Sequence, residues 1–213
     1  MKSINKESLI INISSKIIIK NKGLQNINKY LEDLKNKSAL VLVDSFFKNN
    51  KIKLNYIKNS LKFLHKKKYI YNNYFEPNFD NLKNFKNKIN NNRFDFIIAI
   101  GGGSTMDIAK GLSVILKFKG KPELLQGINK FGFNPIPVVC VPSIFGSGAE
   151  ITPSAVFINK KNKIKGGINS NKVSPKIAIL DSYLASSNNY KQHATCAFDA
   201  LVHSIESYVS TLS

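Results

Sequence analysis

FDFIIAIGGGSTMDIAK, residues 94–110, runs from a short apolar segment through three consecutive glycines into a helix-like pattern carrying Asp107 and Lys110. A buried strand, a glycine turn and a helix start, in that order, make a phosphate-holding unit in α/β proteins. Gly101, Gly102 and Gly103 let the backbone approach a pyrophosphate closely. Ser104 can cap the helix or donate to phosphate. Asp107, one turn further on, can cap backbone amides or meet a cofactor amide. Three glycines alone also make a purely structural turn, and the spacing is not G-x-G-x-x-G. The apolar strand before them and the amphipathic helix after them favour the phosphate reading.

Working outward, apolar runs alternate with helical patterns. Ser38 to Val43 reads as a strand ending at Asp44, and Asn55 to Lys67 as a helix with Ile57, Leu61, Phe63 and Leu64 apolar. Tyr69 to Tyr74 is expected to be a strand, Asp80 to Asn90 a helix, and the polar run Asn87 to Asn92 a surface connection. Phe94 to Ile100 is a strand, Met106 to Phe118 a helix, and Pro137 to Val141 a buried strand. Such alternation indicates a mainly parallel sheet covered on both faces. After Pro142 the pattern changes. Ser154 to Ile158 and Lys165 to Asn169 flank a polar turn and suggest an antiparallel hairpin, and Lys176 to Leu180 is one more strand. From Ala194 onward the chain reads as helix, with Ala197, Ala200, Leu201, Ile205 and Tyr208 forming a stripe. The shift near residue 185 suggests two units: residues 1–185 as a nucleotide-binding domain, and residues 186–213 as the start of a helical one.

The chain has 213 residues, 43% of them apolar, which is enough for a sizeable core. No apolar run approaches the roughly 20 residues of a membrane span. The N-terminal stretch mixes polar and apolar residues too closely for a signal-peptide core, so a cytoplasmic protein is expected. A net charge of +19 invites a nucleic-acid reading. Against it, Arg93 is the only arginine among 32 basic residues, and the lysines are scattered. Abundant Lys, Asn, Ile, Phe and Tyr share AT-rich codons, so base composition accounts for the bias. The one dense run, Lys66 to Lys68, is expected to end a helix, where cations complement the dipole. Cys140 and Cys196 sit singly in apolar contexts and read as free buried thiols.

Asp44, at a strand end, can accept hydrogen bonds from an adenosine ribose and repel a 2′-phosphate, favouring NAD over NADP. A turn-starting Asp is the simpler account of that residue alone. VPSIFGSGAEIT, residues 141–152, is a second glycine- and hydroxyl-rich turn after a buried strand, so two such turns can cover both ends of a dinucleotide. Asp199 and His203 are four residues apart on one helix face and can give an oxygen and an imidazole nitrogen to a divalent metal. Taken alone, such a pair is more often a hydrogen-bonded couple. Glu206 follows as a supporting or solvated residue, and His65 and His193 read as packing or surface.

Together these segments resemble the iron-containing alcohol dehydrogenase family. GGGSTMDIAK is similar to GGGS-x-x-D-x-A-K, Glu76-Pro77-Asn78 to its E-P-N stretch, and VPSIFGSGAE to P-T-T-x-G-T-G-S-E. DALVHSIE, residues 199–206, resembles the D-A-L-x-H-x-x-E metal helix. The resemblance implies a Rossmann-like, mainly parallel domain of the dehydroquinate synthase-like superfamily, followed by an all-helical domain. It implies nucleotide contacts from Asp44, Gly101, Gly102, Gly103, Ser104, Asp107, Ser143, Ser147 and Lys165, and metal contacts from Asp199 and His203. The implied cofactors are NAD or NADP and a divalent metal, Fe(2+) ahead of Zn(2+). The implied reaction passes a hydride between NAD(P) and a small alcohol, sugar alcohol or aldehyde, in a homodimer without nucleic-acid or membrane partners. Departures from the pattern are Ser143, Ile144 and Ser147 in place of threonines, Ser182 in place of proline, and Gly23 as the remnant of an early G-x-G turn. The family's other two metal histidines lie further downstream than Ser213, so a catalytically incomplete nucleotide-binding remnant is the alternative expectation. GSGAE and GGINS (Gly166 to Ser170) also resemble the 3-deoxy-manno-octulosonate 8-oxidase branch, which acts in surface-sugar synthesis.

Overall fold

The computed structural model describes residues 15–34, 36–89, 93–160, 163–185 and 190–210. Most of the N-terminal stretch weighed as a leader, residues Asn90 to Asn92, and the proposed boundary beyond residue 185 lie outside them. Along the chain come β1 (Lys16–Ile19), α1 (Ile27–Tyr30), β2 (Ser38–Asp44), α2 (Lys51–Ser60), β3 (Lys66–Asn72), α3 (Phe79–Ile89), β4 (Phe96–Gly101) and α4 (Gly103–Ile115). Then follow β5 (Gly127–Ile128), β6 (Val138–Pro142), β7 (Ser154–Asn159), β8 (Ile164–Asn169), β9 (Ile177–Leu180), α5 (Ser182–Ala185) and α6 (Tyr190–Val209).

Six strands form one sheet in the order β1-β9-β6-β4-β2-β3. Every pairing in it is parallel. This is the mainly parallel α/β architecture expected from the alternating pattern. Its central strands are buried on both faces, which explains their unbroken apolar runs. The period of two is visible along β2. Leu40 and Leu42 enter the core shared with α3 and α4, while Ala39, Val41 and Val43 enter the core shared with α1 and α2.

The hairpin forms as expected: β7 and β8 pair antiparallel, with β5 added parallel to β8. The small sheet is fixed to the large one through α4. Phe157 of β7 is fully buried, its ring lies 5.4 Å from that of Phe79, and its Cζ would lie 2.6 Å from a Cβ placed on Gly111. Glycine at 111 is therefore required by close packing between α4 and β7.

Several boundaries differ from expectation, each for a local reason. The helix expected over Asn55 to Lys67 begins at Lys51, because Asn50 caps it through Oδ1, which accepts from the Lys53 amide at 3.1 Å. It ends at Ser60. Leu61 and Leu64 are buried at helical spacing, but they belong to the turn that returns the chain to the sheet. Lys66 to Lys68 therefore open β3 and do not close a helix. β3 is an edge strand, where lysines discourage pairing with another chain. The expected strand from Tyr69 to Tyr74 starts earlier and ends at Asn72. The expected surface connection from Asn87 is helical as far as Ile89. α4 starts three residues before Met106, directly on the glycine turn, and stops at Ile115, short of Phe118. β1 and β5 were not foreseen; both are short edge strands, of four and two residues.

α6 confirms the helix expected near the end of the described chain, but its apolar stripe faces solvent. No side chain of α6 is buried, and Leu201, Ile205 and Tyr208 are 54%, 54% and 91% exposed. Both cysteines are free, yet only Cys140 is buried; Cys196, on α6, is half-buried. Burial pushes the Cys140 thiol up to about 12, which leaves it unreactive.

Removing the ring that joins the two sheets is costly. Phe157→Ala should lower unfolding free energy by about 3–5 kcal/mol in urea titrations, the range for emptying a buried aromatic site.

Candidate functional site

Parallel strands bring their C-terminal ends to one edge, the edge where open α/β sheets bind ligands. Here that edge carries Asp44, Asn72, Gly101, Pro142 and Leu180 at the ends of β2, β3, β4, β6 and β9. The chain turns sharply from β4 into α4. A Cβ on Gly101 would lie 2.8 Å from both Asp44 Cβ and Thr105 Oγ1, so only glycine fits there. A Cβ on Gly102 would meet nothing nearer than Ile144 Cδ1 at 4.0 Å, so the space above Gly102 is open. Gly102 is the N-cap of α4, extended and with no side-chain cap. The first amides of a 13-residue helix thus face that space, with the positive end of the helix dipole behind them.

Beside this turn lies a cleft of about 480 Å³, lined among others by Ser104, Asp107, Ser147, Thr152, Lys165 and His203. It brings five of the expected nucleotide residues, Gly103 included, to one expected metal residue. Gly103 also lines it, and Ser147 Oγ would lie 3.2 Å from a Cβ on Gly103. Ser143 is buried next to the turn, and its amide donates to Gly101 O at 2.9 Å. Asp44 does not line the cleft. It sits under the turn, where Oδ1 accepts from the Phe46 amide at 3.0 Å and Oδ2 lies 3.4 Å from Thr105 Oγ1. At the cleft mouth, Lys165 Nζ is 3.7 Å from Glu76 Oε1, with both side chains largely exposed.

Asp107 is only 16% exposed and lies 3.9 Å from Lys110 Nζ. Burial pushes its carboxyl up to about 6, against the opposing pulls of Lys110, the Val156 amide and Lys165. Lys110, the last residue of the glycine motif, has no role that its sequence position reveals. Its side chain is fully buried, and its ammonium donates to Thr152 O and Oγ1, both at 3.2 Å, and to Ser154 O at 2.5 Å. Burial lowers its pKa, partly offset by Asp107. Sequence reading also missed Gly146, where a Cβ would lie 2.5 Å from Cys196 O. The glycine lets α6 approach the second glycine loop at van der Waals distance.

Asp199 Oδ1 and His203 Nε2 are 3.8 Å apart on successive turns of α6, both about half exposed. One oxygen and one nitrogen at this separation fit part of a divalent-metal shell. No cluster of three or more His, Cys, Asp or Glu suited to a metal occurs among the described residues. Glu206 is exposed one turn further on, His65 is exposed and His193 is half-buried. No helix among the described residues is long and apolar enough to cross a membrane.

A larger hollow of about 890 Å³ lies at the opposite edge of the sheet, between Lys86, Arg93 and Lys117. There Lys86 and Lys117 donate to the carbonyls of Phe118 and Asn134, each at 2.9 Å. Those lysines are engaged by loop carbonyls beyond α4, so the cleft beside the glycine turn is the stronger candidate.

The model of the family described as "Iron-containing alcohol dehydrogenase" matches residues 14–182. Over 116 residues the chain is 33% identical to the NAD-dependent methanol dehydrogenase of Bacillus methanolicus, covering 54% of this chain and 30% of that protein. Over 141 residues it is 34% identical to the 4-hydroxybutyrate dehydrogenase of Clostridium kluyveri, covering 63% of this chain and 36% of that protein. Among solved structures, an iron-containing alcohol dehydrogenase from Thermotoga maritima aligns with a TM-score of 0.84 at 29% identity, covering 95% of this chain and 55% of that one. An alcohol dehydrogenase from Oenococcus oeni has the same fold at a TM-score of 0.87 and 24% identity, covering 96% and 54%. The chain thus spans about a third of the length of these curated relatives and about half of the solved chains.

The raised Asp107 pKa has a definite sign. The folded state holds this proton more tightly than the unfolded chain, so the stabilisation is complete below about pH 4 and is lost as pH rises through about 6. Asp107→Asn removes that dependence. In urea titrations, the native protein should lose about 2 kcal/mol relative to the variant between pH 4 and pH 7.

Proposed function

The chain belongs to the iron-containing alcohol dehydrogenase family, and we propose that it forms the nucleotide-binding part of an NAD- and metal-dependent dehydrogenase acting on a small alcohol or aldehyde. The observation that carries this reading is the uncapped N-terminus of α4, open above Gly102 and adjoining a cleft that also holds His203.

In this reading Gly101 to Gly103 and Ser104 receive the pyrophosphate, whose charge is favoured by the free amides and the helix dipole. Ser143 and Ser147 lie beside the same turn and supply hydroxyl donors. Lys165 adds a cation at the cleft mouth, drawn from its loose pairing with Glu76. Asp44 receives the adenosine ribose and disfavours NADP. Asp107, held by the Val156 amide and Lys110, offers a carboxylate oxygen to an amide N–H of the nicotinamide end. Asp199 and His203 hold the metal, with an oxygen and nitrogen donor pair suited to Fe(2+). When bound, the metal supplies positive charge near the substrate oxygen, and the nicotinamide supplies the hydride acceptor or donor. We assign residues 1–185 to the nucleotide domain and residues 186–213 to the helical domain that begins with α6, in a homodimeric cytoplasmic enzyme. The GSGAE and GGINS stretches favour a sugar-acid substrate within this class. A second reading, dinucleotide binding without turnover, is favoured by the two-donor metal set among the described residues.

Calorimetric titration with NAD and NADP tests the nucleotide site. The chain should bind NAD, and Gly102→Ala should weaken it ~10-fold, because the new methyl enters the open space without touching the fold. The melting temperature should stay within a few degrees of the native value. Failure to bind either dinucleotide sinks the proposal. Reduced nicotinamide formed from small alcohols or sugar acids with Fe(2+) separates the dehydrogenase from the binding-only reading.

A further inference from the structure

Asp44 does not stand alone beneath the glycine turn. It ends a chain of hydrogen bonds that begins at Asn72, the last residue of β3 and itself only 1% exposed. The orientation of the Asn72 amide is fixed by its neighbour: Oδ1 accepts from the Tyr74 amide at 3.0 Å, and Nδ2 donates to Tyr74 O at 3.2 Å. A flipped amide would set N–H against N–H, so Nδ2 is the group that meets Thr105. It donates to Thr105 Oγ1 at 2.9 Å. The Thr105 hydroxyl has one proton of its own, and with Asn72 already donating to it, that proton is available to Asp44 Oδ2 at 3.4 Å. The second carboxylate oxygen, Oδ1, accepts from the Phe46 amide. Thr105 is fully buried, and the same two residues, Asp44 and Thr105, close against Gly101. The carboxylate is therefore held at both oxygens and cannot swing outward freely.

We infer that Thr105, oriented by Asn72, is a positioning residue that holds the Asp44 carboxylate in place and thereby sets selectivity for NAD over NADP. The inference rests on the nucleotide site proposed above. A ribose diol donates hydrogen bonds to a fixed carboxylate, whereas a 2′-phosphate meets its negative charge at short range. A carboxylate released on one side rotates toward water and relieves that repulsion. Selectivity then resides in a buried hydroxyl that touches no part of the cofactor.

The test compares dissociation constants for NAD and NADP in the full chain, with melting temperatures measured alongside. Thr105→Val keeps the shape and removes the hydroxyl; Thr105→Ala removes it without a methyl against the turn; Thr105→Ser keeps it. The ratio of the NADP to the NAD dissociation constant should fall ~5-fold in Thr105→Val and Thr105→Ala, mainly through tighter NADP binding, and should return in Thr105→Ser. A purely structural role would weaken both dinucleotides in equal proportion. An unchanged ratio in Thr105→Val and Thr105→Ala overturns the inference while leaving the nucleotide site standing. A native chain that prefers NADP also overturns it. If the native chain binds neither dinucleotide, the nucleotide site itself is refuted, and this inference with it.

Discussion

The ammonium of Lys110 is buried between α4 and the start of β7, with three oxygens of Thr152 and Ser154 around it. Taking that charge out of water is unfavourable unless all three of its protons find acceptors. The acceptors come from a segment distant in sequence, so satisfying them fixes how the second sheet docks against α4. The cleft follows from that docking. Its floor is α4 with Ser104 and Asp107, its wall is Thr152 to Ile158, and its mouth carries Lys165 from β8. Asp107 is held within reach of Lys110 and shares its dehydrated surroundings, which is why burial dominates the carboxyl despite the neighbouring cation.

The same edge of the sheet shows two uses of glycine. At Gly101 the absence of a side chain lets β4, Asp44 and Thr105 close on one another. At Gly102 it leaves room outside the fold. Gly146 is another close approach, this time between the second loop and Cys196 of α6. The helix bearing Asp199 and His203 is therefore placed against the second glycine loop.

Much of this was readable in the chain itself. Central strands such as Phe96–Gly101 are apolar without a break, and a parallel sheet is where such runs can be buried on both faces. The glycine turn was legible because sterics demand glycine there. Boundaries were less so. Leu61 and Leu64 continue the helical spacing of Ile57, yet Asn50 starts the helix early and the turn at Leu61 ends it, so periodicity alone misplaced α2 and β3. Edge strands β1 and β5 are four and two residues long, too short for an alternating or sustained apolar pattern to mark them. Lys110 lay inside the most informative motif, but a buried lysine is identified by partners forty-odd residues away, which linear order does not reveal. The Asn72–Thr105–Asp44 chain likewise joins the ends of β3 and β2 to the first turn of α4, which only the sheet order brings together.

The outward face of α6 has a colloidal consequence. Phe198, Leu201, Ile205 and Tyr208 are each more than half exposed, and together they form a surface that water wets poorly. A net charge of +19 opposes contact between two such surfaces, but only across the distance over which charge is felt. That distance shrinks from about 30 Å at 0.01 M salt to about 10 Å at 0.1 M. In dilute buffer the chains repel one another before their apolar faces meet. At higher ionic strength that repulsion is screened, and the apolar stripe of α6 is shielded only at short range.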